Sequence, residues 1–341
     1  MLEIVKWYAG RNLAQCNNIT KDCEMRRYYV PPFFGLWDAR VHHLEMPGEN
    51  WKEPVKSLHL ENRARIIDGL KGEYGTQRIE VRINNFKELG DAPMSIVSYH
   101  NLFYRQAREA FIVEAYYPAL TGACALGERI LNHLILDLRD HFRSRKTYKE
   151  VHRKEAIDDW DRATSILEDW GVLEPGIGKN FQGLKSLRHK SLHFNPQTYG
   201  RVRDDALEAL RHLKSIIVGQ FSAFGTQRWF ISGTKGACFI RKESENDPFV
   251  KTFYLQQCPY VGYKYALKFL EGGAAIAFDQ ENYDEGSITD EEYCNLYNDR
   301  KMADLVSSDL PPAIGIVTWL LVPGKASRVI LESTASVTGA L

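Results

Sequence analysis

Apolar residues recur at three- and four-residue steps through the middle of the chain. Between 118 and 142, Leu120, Ala123, Leu126, Ile130, Leu131, Leu134, Ile135, Leu138 and Phe142 form the stripe of an amphipathic helix. Residues 98–117 carry the same period through Leu102, Phe103, Ala107, Ala110, Phe111 and Val113, and Pro118 either kinks this helix into the next or opens the second. Residues 155–170 place Ala156, Ile157, Trp160, Ala163, Ile166, Leu167 and Trp170 on one face, with Gly171 positioned to end the helix. A short helix at 181–191, through Leu184 and Leu187, and a longer one at 204–221, through Leu207, Leu210, Leu213, Ile216, Ile217 and Phe221, complete the set. Together they predict an all-helical bundle.

Both flanks read differently. After Gly225, the runs 237–241, 249–256, 261–269, 274–278, 314–321 and 328–331 are rich in β-branched and aromatic residues, are separated by Gly, Pro, Asn or Asp, and predict strands. Earlier, 3–8 and 77–84 predict strands, 60–70 a short helix, and Val30-Pro31-Pro32-Phe33 an extended segment. The expected fold class is α+β in three parts: a mixed α/β or β-rich N-terminal region over 1–95, a helical bundle over 96–225, and a β-rich C-terminal region over 226–341.

Composition narrows the class. A chain of 341 residues with 44% hydrophobic and 26% charged residues is an ordinary globular protein, not collagen-like or wholly disordered. The longest uncharged apolar run, 311–323, covers 13 residues, where a membrane helix needs about 20. Glu3, Lys6 and Arg11 interrupt the first apolar stretch, so no secretion signal is drawn and the expectation is a cytoplasmic protein with no membrane partner. None of the 6 cysteines has C-x-x-C spacing.

The charges cancel over the whole chain, yet they are unevenly placed. Residues 139–154 hold Lys or Arg at 139, 143, 145, 146, 149, 153 and 154 against Asp140 and Glu150, and 181–203 holds Lys185, Arg188, Lys190, Arg201 and Arg203 with no acid. Residues 271–299 hold 9 carboxylates and no Lys or Arg. That acidic stretch is either a solvated loop between strands, turning at Asn282 and Gly286, or a competitor for the basic face.

The densest candidate chemistry is Arg188-His189-Lys190-Ser191-Leu192-His193-Phe194-Asn195-Pro196. Arginine, two histidines and lysine within six residues suit a core poorly, and Pro196 predicts that the helix ends at or just before this stretch. On an ideal helix Arg188 and His193 lie roughly 140° apart, so they cooperate only if the helix breaks or a second copy of the chain supplies the partner. His189 and His193 are one helical turn apart, but no HExxH pattern or third ligand accompanies them, so no metal and no cofactor is expected.

A helical bundle with Arg-x-x-x-x-His near the end of a late helix, and a polar residue directly after the Arg, resembles the HEPN domains of prokaryotic toxin, antiphage and CRISPR-linked proteins. The resemblance covers 98–225 and makes the expected architecture a central HEPN-like bundle with flanking regions. It implies metal-independent endoribonuclease activity in a defence or toxin effector, with RNA as partner and a homodimer as the active unit. His193 would move the proton and Arg188 would hold the phosphate oxygens. Glu128, from an earlier helix, would orient them. Lys185, His189, Lys190 and Asn195 would hold the RNA backbone. Asn195 stands where members silenced by a nucleotidyltransferase partner carry Tyr, so that mode of control is not expected; a regulatory protein or activating ligand remains open. The alternative from a different class is a non-catalytic HEPN-like module for dimerisation and for RNA or protein binding.

Overall fold

The computed structural model describes residues 22–31, 38–192, 196, 198–269, 275–280, 283, 286–301, 305, 318–322 and 325–329. The fold is α+β: the helices dominate, and the sheets are small and antiparallel. Two compact units form, one from Gly35–Ser222 and the other from Met1–Phe34 with Ala223–Leu341. The division differs from the three regions predicted. Residues 1–95 are not one region, because the strand near the N-terminus pairs with strands more than two hundred residues later, while 35–95 joins the helical unit.

The helical unit contains α1 (Glu53–Tyr74), α2 (Ile79–Leu89), α3 (Ser98–Ile112), α4 (Tyr116–Leu138), α5 (Trp160–Asp169), α6 (Ile177–Leu192) and α7 (Thr198–Phe221). Pro118 opens α4, in the first turn where its missing N–H goes unused. From Leu120 through Leu138 every residue of the predicted stripe is buried. Phe142, beyond the helix, stacks on Trp170 at 4.6 Å. Asp159 caps α5 by accepting from the Arg162 amide at 3.1 Å. At its other end Gly171, at φ 69°, turns the chain so that the Gly171 and Val172 amides reach the Glu168 and Leu167 carbonyls at 3.0 Å each, a Schellman end. Ala156, predicted on the buried face, lies outside α5 and is exposed.

Two predicted elements change type or extent. The segment 77–84, whose Ile79, Val81 and Ile83 alternate as a strand would, is the start of helix α2. Ile79, Ile83 and Phe86 share its inner face, and Asn85 anchors it by donating to the Phe111 carbonyl at 3.2 Å. The short helix at 60–70 extends into the 22-residue α1. Lys214 on α7 holds Asp91, just after α2, at 2.6 Å, and Arg203 holds Glu88 at 2.8 Å.

His100, in the first turns of α3, is fully buried. Its Nδ1 lies 3.0 Å from the Ser95 hydroxyl and its ring meets Phe221 edge-on at 4.6 Å. Burial, with a smaller push from His133, lowers its pKa to about 3. The unfolded chain, with a histidine pKa near 6.5, therefore takes up a proton that the folded chain refuses. Stability should be full above pH ~6.5 and fall by about 1.4 kcal/mol per pH unit below it, from this residue alone. Urea unfolding at pH 6.5 and 4.5 should show wild type losing about 2–3 kcal/mol more than His100→Gln; equal losses would contradict this.

In the other unit β1 (Arg26–Val30) is the middle strand, antiparallel to β2 (Cys238–Phe239) and to β3 (Tyr260–Gly262), with Tyr29 opposite Phe239 and Arg27 opposite Val261. Two hairpin pairs follow, β4 (Ala266–Phe269) with β5 (Ala275–Phe278), and β6 (Thr318–Val322) with β7 (Lys325–Val329). The core is aromatic: Phe239 meets Tyr293 and Tyr297 edge-on at 5.0 and 4.9 Å. The run 249–256, predicted as a strand, instead begins helix α8 (Pro248–Phe253), because Asp247 caps it by accepting from Phe249 N at 2.8 Å and Pro248 presets its first turn. The strand expected at 3–8 lies outside the described residues.

The acidic stretch does not form a simple solvated loop. It contains α9 (Asp290–Asp299), opened by a capping box in which Thr289 and Glu292 satisfy each other's amides. Asp279 is buried on Arg26 at 3.2 Å, and Asp290 takes Arg27 at 2.6 Å. Among the described carboxylates, three thus serve their own unit. Neutralising Asp290 and Glu292 would therefore disturb this unit's fold as well as its charge. Glu271, Glu281, Asp284 and Glu285 lie outside the described residues.

Candidate active site

Three helices bring the site together. Gly127 on α4 sits where a Cβ would collide with the Leu184 side chain of α6 and would touch Trp160 of α5 at 3.3 Å, so glycine lets the three helices approach here. The next residue is Glu128. Its Oε2 lies 3.0 Å from Nη2 of Arg188 on α6, with the two side chains 32% and 34% exposed. The Arg188 guanidinium also lies over the buried Trp160 ring, 5.8 Å from its centre. The carboxylate proposed to orient the arginine is thus its ion-pair partner, across sixty residues of sequence.

One turn further along α4, Asn132 fixes the floor of this arrangement. Its Nδ2 donates to the Glu128 carbonyl at 3.0 Å and to the Ile157 carbonyl at 3.2 Å, and its Oδ1 accepts from the Ile157 amide at 2.6 Å. This clamp pins the segment that leads into Trp160. At Cys124, one turn before Glu128, burial, partly offset by the nearby Arg188 charge, pushes the thiol up to about 12.

The remaining candidates distribute unevenly. His189 and Lys190 are exposed on the last turns of α6. Lys185 is drawn onto Asp161 of α5 at 2.5 Å. The helix does not end before the motif: α6 continues through Arg188 to Leu192, and the Ser191 hydroxyl donates to the Arg188 carbonyl at 3.2 Å. His193 and Asn195 lie outside the described residues. The stretch 181–203 that carries no acid of its own acquires Asp161, Glu128 and Glu88 from other helices.

Sequence reasoning missed Trp160 as the surface beneath Arg188, and it missed Asn132. The available signal was Gly127, a lone glycine inside an otherwise apolar helical stripe and directly before Glu128. Among the described residues, no three His, Cys, Asp or Glu side chains gather as metal ligands, and no helix is long and apolar enough to cross a membrane. No family model, curated protein or solved structure matches the chain.

The arrangement presents a guanidinium one third exposed, paired with a carboxylate and lying over an aromatic face, near the end of a helix that also carries an exposed imidazole and an exposed ammonium. A planar fork of donors held in this way suits a phosphodiester.

Proposed function

We propose that the helical unit is a HEPN-type, metal-independent endoribonuclease that acts as a homodimer in antiphage defence or as a toxin. The observation that carries this reading is the 3.0 Å pairing of Glu128 with Arg188, which joins the motif arginine to an acid of an earlier helix. In the reaction the ribose 2′-oxygen bonds to phosphorus as its proton leaves to a base. The bond from phosphorus to the 5′-oxygen then breaks, and that oxygen takes up a proton. His193 carries the proton in each direction. Arg188 meets the negative charge that builds on the non-bridging oxygens, while His189 and Lys190 hold the backbone to either side. A two-fold pairing of bundles would set both Arg188-x4-His193 motifs along one groove.

Cleavage of bulk RNA in chelator is expected to leave 2′,3′-cyclic phosphate and 5′-hydroxyl ends, and an all-2′-deoxy substrate is expected to stay intact. Cleavage of the deoxy substrate, or activity that chelator abolishes and magnesium restores, would overturn the mechanism. Pairing of Lys185 and Arg188 with acids supports the second reading, a binding module without catalysis. RNA retention with no cleavage by a folded dimer would favour it.

A further inference from the structure

We infer that the basic segment 139–154 is a second nucleic-acid surface, which grips the phosphates of a base-paired RNA stem through Arg145, Lys146, Lys149 and Arg153, all four exposed. The segment belongs to the helical unit and contains none of the residues placed around Arg188. The choice of RNA over DNA rests on the ribonuclease reading; the surface itself rests on charge, exposure and rigidity.

Seven Lys or Arg stand in this segment against Asp140 and Glu150, and folding neutralises few of them. Asp140 is taken by Arg143 at 3.2 Å, and Glu150 by Arg162 of α5 at 2.6 Å. Arg162 and, more weakly, Lys154 hold Glu150 below the usual carboxylate range. Among the described residues Arg145, Lys146, Lys149 and Arg153 make no ion pair. The next acids along the chain, Glu155 and Asp158, are themselves exposed. The contrast with 181–203 is direct, since Lys185, Arg188 and Arg203 each meet an acid from another helix.

These cations project from a fixed backbone. Arg139 closes the segment by donating to the Val151 and Lys154 carbonyls at 3.0 and 2.6 Å. Phe142 stacks on Trp170, whose Nε1 donates to the Thr147 hydroxyl at 2.9 Å, and that hydroxyl donates to Asp169 at 3.0 Å. A surface held in this way loses little freedom on binding. The first turn of α5 joins it to the Arg188 site: Arg162 holds Glu150 of the segment, Asp161 holds Lys185 of α6, and Trp160 lies under Arg188.

The kind of polyanion follows from the side chains around the charges. Over 139–162 no large apolar side chain is exposed: Phe142 and Tyr148 are half-buried, and Val151, Ile157 and Trp160 are buried. A segment that lies on a lipid surface needs an apolar face to insert. Single strands are bound by stacking their bases on aromatic rings, and here the rings are occupied. Phe142 faces Trp170, while Tyr148 lies against His152 at 5.4 Å with its hydroxyl on Asp140 at 3.2 Å. Exposed point charges without free rings suit a helix that hides its bases and presents its phosphates, as an RNA stem does.

Fluorescence anisotropy with the full chain tests this surface, using an RNA duplex of about 16 base pairs, an oligo-uridine strand and a DNA duplex of the same length, polyglutamate, and phosphatidylserine vesicles. Both RNA probes carry 2′-O-methyl groups, so no 2′-oxygen can attack. The RNA duplex should bind more tightly than the strand and at least as tightly as the DNA duplex. Arg145→Gln, Lys146→Gln, Lys149→Gln and Arg153→Gln together should weaken duplex binding about 100-fold or more and flatten the plot of log K against log salt by about 3. Tm should stay unchanged, because none of the four is paired. If the fourfold variant fails to fold, each single variant should still flatten the slope by about 1. Undiminished duplex affinity, tighter binding of the strand or of DNA, or the four cations serving polyglutamate or vesicles in place of the duplex would overturn the assignment. Duplex binding by a protein that cuts no RNA would keep the surface and fail the ribonuclease reading; cleavage with duplex affinity undiminished in the variant would do the reverse.

Discussion

Arg188→Ala is expected to lower the kcat of RNA cleavage by about 100- to 1,000-fold, the usual consequence of deleting a donor aimed at charge that develops in the transition state. Unfolding would not account for the loss. The pair that Arg188 makes with Glu128 is one third exposed at each partner, and such pairs contribute about 1 kcal/mol or less. Arg188→Lys keeps the charge but loses the planar fork, so it should recover only a small part of the rate. Glu128→Gln keeps the size and one acceptor oxygen while removing the charge that fixes the guanidinium. As a positioning residue, Glu128 should then affect kcat by about tenfold with little change in KM. Its dependence should also vanish in the Arg188→Ala background, because a residue that acts through Arg188 has nothing left to orient. A Glu128→Gln variant faster than wild type would show that the pair restrains Arg188. An Arg188→Ala variant of unchanged rate would remove the arginine from the chemistry.

Particular residues show why some of this was legible in sequence and some was not. The stripe from Leu120 to Leu138 was legible because one helix face obeys a single period and the face is wholly buried. Helix α2 was misread because Ile79, Val81 and Ile83 alternate, and the helical period emerges only when the window reaches Phe86 and Leu89. At 249–256 aromatic and β-branched composition suggested a strand, yet the local start signal Asp247-Pro248 prevailed. The position of Glu128 beside its stripe was readable. Its partner sixty residues away was reached through the family resemblance, since no local pattern encodes a contact between helices. Charge runs misled for a related reason. The basic stretch 181–203 and the acidic stretch 271–299 are single-signed only along the chain, and folding supplies opposite charges from elsewhere.

Asp279→Ala is expected to destabilise the β-rich unit by about 3–5 kcal/mol, the cost of removing one partner from a buried ion pair. Asp279 is 4% exposed and both of its oxygens are engaged. Oδ2 accepts from Arg26 Nε at 3.2 Å and from the Gly262 amide at 2.8 Å, while Oδ1 accepts from the Tyr283 hydroxyl at 2.5 Å and from the Gln280 amide at 3.0 Å. Arg26 and Gly262 face each other across β1 and β3, so a carboxylate just after β5 ties that pairing to the next hairpin. Alanine would strand the Arg26 charge, 4% exposed, and leave the Tyr283 hydroxyl and Gly262 amide without this acceptor. Asp279→Asn retains one acceptor and the shape, and should cost roughly half as much. Replacing both partners, as in Arg26→Met with Asp279→Leu, should restore much of the loss, because the uncompensated charge is gone. Since the chain folds as two units, a single unfolding midpoint would mix their stabilities. Hydrogen exchange separates them: protection of the β1 and β3 amides should fall in Asp279→Ala while that of α4 is retained. Unchanged protection in β1 and β3, or a double variant no better than Asp279→Ala, would show that the buried pair does not hold this unit together.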